Sequence, residues 1–495
     1  MSVHPTKNDL ANGVGSQHIE LPKDADHNDI VEHALLDPDA EKRLVRKCDL
    51  HVLPAITVLF FLSFMDRTNI GNARIQGMSG DLHMSGHDYN IALFIFFVPY
   101  ILFEIPSNII VKRTAPSTWL SVIMILWGIA TVGQGLARNV GQLIACRFLL
   151  GLFEAGLFPG CVYLISMYYK RYELQWRMSL FFCASIIAGA FSGLLAFAIA
   201  NMGGVGGYEA WRWIFILEGL LTVMVGCVSK WWIADWPETA SFLSADERQI
   251  LMRRLAQDTG EARMDHLDKT SAKRIATDWK IYAGTVAYFG VVNTGYAGSF
   301  FIPTILKQMG LTAAAAQVRT IPIYVVAAVA CLSAAYLTDR LQHRYTFTLI
   351  GVGVATVGYI LLLCQQHVSV GVRYFALILV VSGGYTTQPI TLTWLANNVS
   401  GHYKRAVSSA AQVGFGNLGG IVASNVFFDA EAPFYWTGYG VSLGMLWLCA
   451  GACTVLYVGV RVENKKRDRG DRDLRLEGED VNNLGDDHPT WRFTT

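Results

Sequence analysis

Twelve apolar stretches, each of about 20 residues or more, constrain this chain more than any other feature in it. They lie near residues 52–73, 89–111, 118–137, 142–168, 178–201, 212–233, 280–305, 317–338, 345–365, 373–396, 406–428 and 436–460. A helix needs about 20 apolar residues to cross the ~30 Å hydrocarbon core of a bilayer, and these stretches are too long and too apolar for helices of a soluble core. Only helices and closed barrels satisfy every backbone polar group in lipid, and barrel strands would alternate in polarity, so an all-α integral membrane protein is expected. Composition agrees: 52% of the residues are hydrophobic and 16% charged, against about 25% charged in an ordinary soluble domain.

The stretches form two sets of six. The expected organisation is a disordered N-terminal tail (1–50), a first six-helix half (51–234), a hydrophilic central loop (235–279), a second six-helix half (280–460) and a disordered, charged C-terminal tail (461–495). In the loop, Ser244-Ala245-Asp246-Glu247 matches the Ser-x-x-Glu capping box that opens a helix. Orientation follows from the basic residues. With the N-terminus in the cytosol, the cytosolic side receives Lys42, Arg43, Arg46, Lys47, Lys112, Arg113, Lys170, Arg171, Arg177, Arg340, Arg344, Lys404 and Arg405. The opposite side receives only Arg74, Arg138, Arg212, Lys307, Arg319 and Arg373. This asymmetry puts both termini in the cytosol, which suits a plasma membrane protein or a vacuolar one. It also puts the Asn398-Val399-Ser400 sequon in a cytosolic loop, away from glycosylation. The first fifty residues lack the short apolar core of a secretory signal. A weak internal repeat, Ser107–Arg113 against Ala334–Arg340, points to parallel six-helix repeats with a substrate site between the halves.

Several function classes are excluded. A net charge of +1 gives no basic field for nucleic acid. The nine cysteines are scattered through apolar runs without metal or disulfide spacing, so no metal site is expected. No GxxxxGK[ST] loop, GxSxG elbow or HExxH pair occurs, and the Gly203–Gly207 run is a loop after an apolar helix, so no cofactor and no enzymatic activity are expected. A carrier acting as a monomer in the bilayer, driven by an ion gradient or by its substrate's own gradient, is the class that remains.

Ionisable residues inside membrane spans are costly and mark substrate or proton paths. The candidates are Asp66 and Arg67 in the first span, Glu104 in the second, and Arg147 and Glu154 in the fourth. Asp66 and Arg67 fall about 22 Å from the cytosolic start of their span, and Arg147 about 8 to 10 Å from the opposite end of its own, so the two arginines share a depth. Glu154 follows Arg147 by two turns on nearly the same face. The functional reading gives a carboxylate to the guanidinium forks of Arg67 and Arg147 and protons to Asp66 and Glu154; the rival is two structural ion pairs. Glu104 suits a gate or a helix terminus. Asn69, Asn293, Tyr296, Gln388, Trp394, Asn397 and Asn417 are candidates for hydrogen bonding or stacking on a ligand, or for bonds between helices.

Met65–Met78 (MDRTNIGNARIQGM), Arg147–Gly160 (RFLLGLFEAGLFPG), Tyr208–Gly219 (YEAWRWIFILEG), Asp235–Arg248, Trp394–Ala406 and Gly416–Ile421 together resemble the fungal allantoate and nicotinate permease branch of the anion:cation symporters. Those symporters form part of the major facilitator superfamily, and the resemblance spans residues 50–460. It implies the twelve-helix major facilitator fold, proton-coupled symport of a small organic anion, and roles for Asp66, Arg67, Arg147 and Glu154 in proton and carboxylate handling. The superfamily's G-x-L-A-D-R loop motif is incomplete. Asp339-Arg340 keep it in the second half as candidate gating residues, whereas Lys112-Arg113 in the first half lack its Asp. Two other readings keep the same residues: export of a fungal metabolite, and a nutrient sensor that binds without transporting.

Overall fold

The computed structural model describes residues 38–170, 173–259, 269–400, 402–476 and 484–495, and no strand occurs among them. The first half comprises α1 (Pro38–Ile75), α2 (Gly86–Phe94), α3 (Phe97–Arg113), α4 (Pro116–Gly135), α5 (Val140–Glu154), α6 (Leu157–Tyr168), α7 (Leu174–Ile199) and α8 (Ala210–Trp232). Two helices, α9 (Ala245–Thr259) and α10 (Lys269–Thr277), bridge to the second half. That half comprises α11 (Trp279–Gln308), α12 (Ala313–Leu341), α13 (Arg344–Leu363), α14 (Val370–Asn397), α15 (His402–Gly416), α16 (Leu418–Asn425) and α17 (Trp436–Asp468).

Among the described residues ten helices, with α5 and α6 together counted as one, are long and apolar enough to cross a membrane. The apolar stretches expected near 89–111 and 406–428 are each carried by two shorter helices in succession, α2–α3 and α15–α16. Proline explains two of the breaks. Pro99 has no N–H to give the Ile95 carbonyl, and α2 gives way to α3 there; Pro159 stands in the same relation to Ala155 between α5 and α6. The α15–α16 break falls at Asn417, among Gly416, Gly419 and Gly420.

Within lipid, helices associate through close backbone approach rather than through hydrophobic burial. Glycines supply it here. A Cβ on Gly128 of α4 would lie 2.8 Å from the Val223 side chain, and one on Gly219 of α8 2.7 Å from the Val132 nitrogen. The second half repeats the device: a Cβ on Gly358 of α13 would lie 2.7 Å from the Ala376 carbonyl of α14. The halves meet where α7 packs on α12 and α1 on α11, with α3 against α15 and α2 against α16 closing the other side.

Pro38 and Thr495 lie at one end of the bundle, the terminal end. At that end Arg177 at the start of α7 grips Asp49 at 2.6 Å, Lys47 reaches Glu247 at 2.7 Å, and the Arg344 amide donates to the Thr495 carbonyl at 3.0 Å. The capping box expected at Ser244 is present: Glu247 N–H donates to Ser244 Oγ at 3.2 Å and Ser244 N–H to Glu247 Oε2 at 2.8 Å.

Two boundary expectations are corrected. Residues 38–50, read as part of a disordered tail, form the first turns of α1; Glu41 binds Lys170 at 2.8 Å and Arg254 at 2.5 Å, which ties those turns to the central loop. The expected disorder of residues 1–37 lies outside the described residues. Of residues 461–495, also read as disordered, 461–468 continue α17 to Asp468 and 484–495 lie against the bundle. Leu484–Thr495 docks on the terminal end of the second half. Trp491 and Phe493 are buried there, and Asp486 is 0% exposed. Asp486 binds Lys404 at 2.8 Å and Lys280 at 2.9 Å, and Asp278 binds the same two ammonium groups at 2.6 and 2.8 Å. Burial acts to raise the Asp486 carboxyl, but the two lysines outweigh it and hold it well below the usual carboxylate range. Segment charge alone misread the described part of this tail, because Glu463, Arg467, Arg472, Arg475 and Asp486 are paired rather than solvated.

Candidate functional site

The central cavity lies between the halves, lined by Phe60, Phe64, Tyr100, Phe158, Phe182 and Tyr385 among its aromatic residues and by Arg67, Ser185, Gln388 and Asn417 among its polar ones. Arg67 is the charge on its wall. Its position on α1, which packs on α11, brings its guanidinium to the second half: Nη1 donates to the Tyr296 hydroxyl, which donates in turn to Asn417 Oδ1 at 3.1 Å. Nη2 pairs with Glu154 Oε1 at 2.5 Å, and Ser63 Oγ donates to the same oxygen. The guanidinium carbon stands 4.8 Å from the Phe96 ring centroid and 5.1 Å from that of Tyr100, inside cation–π range. One positive group thus links the two halves, an acid and an aromatic cage. The Pro159-linked break ends α5 at Glu154, which places that carboxylate at a helix end rather than within a continuous helix.

Asp66 and Arg147 sit behind this cavity, inside the first half. Asp66 Oδ2 accepts from Thr222 Oγ1 at 2.8 Å and Trp127 Nε1 at 3.1 Å. Arg147 Nη1 donates to the Arg67 carbonyl at 3.3 Å, so the two arginines do share a depth, but Arg147 is not on the cavity wall. Its Nε and Nη2 have no hydrogen-bond partner. The expected two-arginine clamp is therefore one arginine at the cavity and one in the layer behind it.

The other sequence candidates divide. Tyr296 and Gln388 line the cavity as expected. Asn69 faces α8 and α7 instead, donating to Glu218 and accepting from Ser192 at 2.9 Å. Asn293 donates to Ser442 of α17 at 2.9 Å. Trp394 lies at the terminal end, where its indole donates to the Thr494 carbonyl at 3.0 Å. These three make interhelical or tail contacts, the bland alternative for each. Among the gating candidates, Asp339 of α12 lies near the Trp176 amide in the first turn of α7, across the interface between halves. Arg340 is exposed, and Glu104 is buried where α3 faces α15. Asn398 of the sequon is buried and bonded to Thr494.

Sequence reading passed over Glu218 of α8, which is buried with Oε1 unpaired. The signal was available: a carboxylate in the middle of an apolar span, in a segment already quoted for its resemblance. Tyr100, Tyr288 and Tyr385 were missed because aromatic residues are common in every span and nothing in their spacing marks the cavity.

The Major Facilitator Superfamily model matches residues 56–424. The chain belongs to the Major Facilitator Superfamily. Among curated relatives of this superfamily, an uncharacterized transporter of Schizosaccharomyces pombe is 35% identical over 89% of this chain and 87% of its own length. The MFS-type transporter cnsO of Penicillium expansum is 33% identical over 92% and 90%, and the high-affinity nicotinic acid transporter of Saccharomyces cerevisiae 29% identical over 92% and 85%. Among solved superfamily structures, the proton:xylose symporter XylE bound to 6-bromo-6-deoxy-D-glucose aligns with a TM-score of 0.65 at 14% identity, covering 84% of this chain and 96% of that one. An inward-facing, occupied bacterial homologue of the human lysosomal transporter Spinster aligns at 0.61 and 17% identity, covering 83% and 96%. The chain is a multi-pass membrane transporter of this superfamily and not an enzyme, and its central cavity lies between the superfamily's two helical halves.

Proposed function

We propose that this transporter carries a small organic carboxylate together with protons, by alternating access between its two halves. The observation that carries the reading is Arg67: a guanidinium on the wall of an aromatic cavity, held by Glu154 on one side and by the hydroxyl of Tyr296 from the other half. A substrate carboxylate competes with Glu154 for the same fork, and protonating Glu154 releases the fork to the substrate. Charge balance favours protons as the companion. The carboxyls buried in the spans of the first half, Asp66, Glu104, Glu154 and Glu218, outnumber its buried guanidiniums, Arg67, Arg147 and Arg177, the last already paired with Asp49, before any anionic substrate arrives. Adding another anion to that set without a proton is costly in a site closed to water.

The aromatic lining suits a substrate with a flat ring beside its carboxylate, since rings stack on rings and the charge reaches Arg67. A relative named as a nicotinic acid transporter fits that description. In this reading the paired helices α2–α3 and α15–α16 are the second and eleventh of twelve spans, and the terminal end faces the cytosol. The basic residues gathered at that end support the orientation, and the plasma membrane is the proposed location.

Uptake of labelled carboxylates by cells expressing the protein, at pH 5 and pH 7.5 with and without a protonophore, tests the proposal. Acid-stimulated, protonophore-sensitive accumulation of one anion is expected. Accumulation indifferent to the protonophore removes the coupling, and expulsion of the anion from preloaded cells turns the reading to export.

A further inference from the structure

Glu104 stands apart from the charges just described. It lies on α3, nine residues from the Arg113 end, which is about 13 Å inside the bundle at 1.5 Å per residue. Its side chain is 0% exposed, and neither carboxyl oxygen has a hydrogen-bond partner. The neighbour across the interface is Gly414 of α15, in the other half: a Cβ built there would lie 3.2 Å from Glu104 Oε2. The carboxyl is therefore sealed between the two halves by their contact.

The groups around it offer no compensating charge. The titratable side chains that sense it are Tyr100 on its own helix and Tyr288 and Tyr296 on α11. On α5, Glu154 is taken up by Arg67 and Arg147 by the Arg67 carbonyl. On α15, Lys404 is bound to Asp278 and Asp486, and Arg405 lies nine residues from Gly414, about 13 Å along the helix. Helix α6 contributes only Cys161, Tyr163 and Tyr168, α16 contributes none, and α2 carries His87, Asp88 and Tyr89 toward the distal end. An anionic carboxylate with neither donor nor cation is not stable in such a place, whereas a neutral carboxyl is.

We propose that Glu104 is a proton-operated latch on the terminal side of the transporter. With α3 closed on α15 at Gly414 the carboxyl holds a proton; when the two helices part it meets water and releases the proton to that side. Closure then requires a proton to be taken back from the same side, so the latch moves no net proton across the membrane and differs in role from the acid that pairs with Arg67. It sets the rate of resetting by the pH on the terminal side. Acid favours the closed form and alkali the open one, and over the interval between the two protonation equilibria the closed-to-open ratio falls tenfold for each pH unit. The inference rests on the alternating-access reading above but not on the identity of the substrate.

The test needs no substrate. Spin labels at Thr114→Cys and Val407→Cys, both exposed and on opposite halves at the terminal end, report their separation in nanodiscs between pH 5 and pH 9. The more accessible native cysteines Cys146, Cys227 and Cys364 are replaced by serine. The expected result is a short-distance population that declines with rising pH in the parent, persists at every pH in Glu104→Gln, and again declines in Glu104→Asp. Glu104→Ala, equally unable to titrate, gives a pH-independent distribution if the glutamine variant does not fold. A pH response that survives in Glu104→Gln or Glu104→Ala overturns the latch, as does a parent distribution indifferent to pH. Closure restored by sodium at fixed alkaline pH also overturns it, by making the occupant a metal cation. Failure of every carboxylate in the uptake panel leaves this result standing, so the two proposals fail separately.

Discussion

Arg67 spends its donors on groups of three kinds: an acid of its own half, a phenol of the other half and, by proposal, the substrate. Lysine keeps the charge but not the planar fork. Arg67→Lys is expected to lose one charge-assisted hydrogen bond of about 1.5–3 kcal/mol. That corresponds to roughly a 10- to 100-fold weaker apparent substrate affinity, read as KM in an uptake assay while surface expression stays unchanged. Glu154→Gln separates coupling from packing. The amide cannot take a proton, yet it can still accept from Arg67, so it imitates the protonated acid. Substrate binding is then expected to lose its acid stimulation between pH 5 and pH 7.5, and equal stimulation in the variant and the parent would remove Glu154 from the coupling step. Much of this was legible in the sequence, because charge within an apolar run is conspicuous: Asp66, Arg67, Glu104, Arg147 and Glu154 are all buried. What was not legible is which side of α5 faces the cavity. Arg147 and Glu154 are two turns apart and nearly aligned, but the helix ends at Glu154, so one reaches the cavity's arginine and the other the layer behind it.

At the scale of the element, the C-terminal segment fastens the second half from outside. The Asp486 carboxylate binds α11 through Lys280 and α15 through Lys404, while Thr494 reaches α14 at Trp394 and Asn398. Because the carboxyl is held below its ordinary range, its contribution is fully present above the pH at which a free aspartate titrates. It fades only as the pH falls through the lowered value, so mild acid leaves the clasp shut. Removing the charge is another matter. Asp486→Asn leaves two buried lysines with only Asp278, and a loss of about 3–5 kcal/mol of local stability is expected, the cost of breaking a buried charge network. Faster proteolysis of the segment in detergent, with α1 to α8 unaffected, would register it; protection equal to the parent's would contradict it. The long helices were readable from hydropathy, and the capping box at Ser244 from four letters. The clasp was not, because its partners stand about 80 to 200 residues apart and no periodicity relates them.

On the scale of the whole molecule, the halves are tied together at the distal end by a contact built from surface-rim residues. Arg74, at the last turn of α1, sends Nη2 to both carboxylate oxygens of Asp429 at 2.6 Å, and its guanidinium carbon lies 4.0 Å from the Tyr89 ring centroid. Lys307 Nζ donates to the Ile75 carbonyl at 3.2 Å, and Gln76 Nε2 to Gln317 Oε1 at 3.1 Å, beside it. The Arg74–Tyr89 contact lies within the first half, but each of the hydrogen bonds joins one half to the other, so opening the distal end must break all of those. Asp429 is 42% exposed, which limits the ion pair to about 1 kcal/mol. Losing that much shifts the equilibrium between distally closed and open forms by roughly fivefold. Asp429→Asn is therefore expected to raise the distally open population by about that factor without changing the fold. Thr304 is buried on α11 near the distal end. A cysteine placed there should react about five times faster with a membrane-impermeant maleimide in the Asp429→Asn background, and faster again when saturating acid on the terminal side closes the latch at Glu104, because closing one end favours opening the other. Unchanged labelling in both conditions would mean that the distal contacts are incidental to the motion; acceleration by Asp429→Asn alone would mean that the two ends open independently.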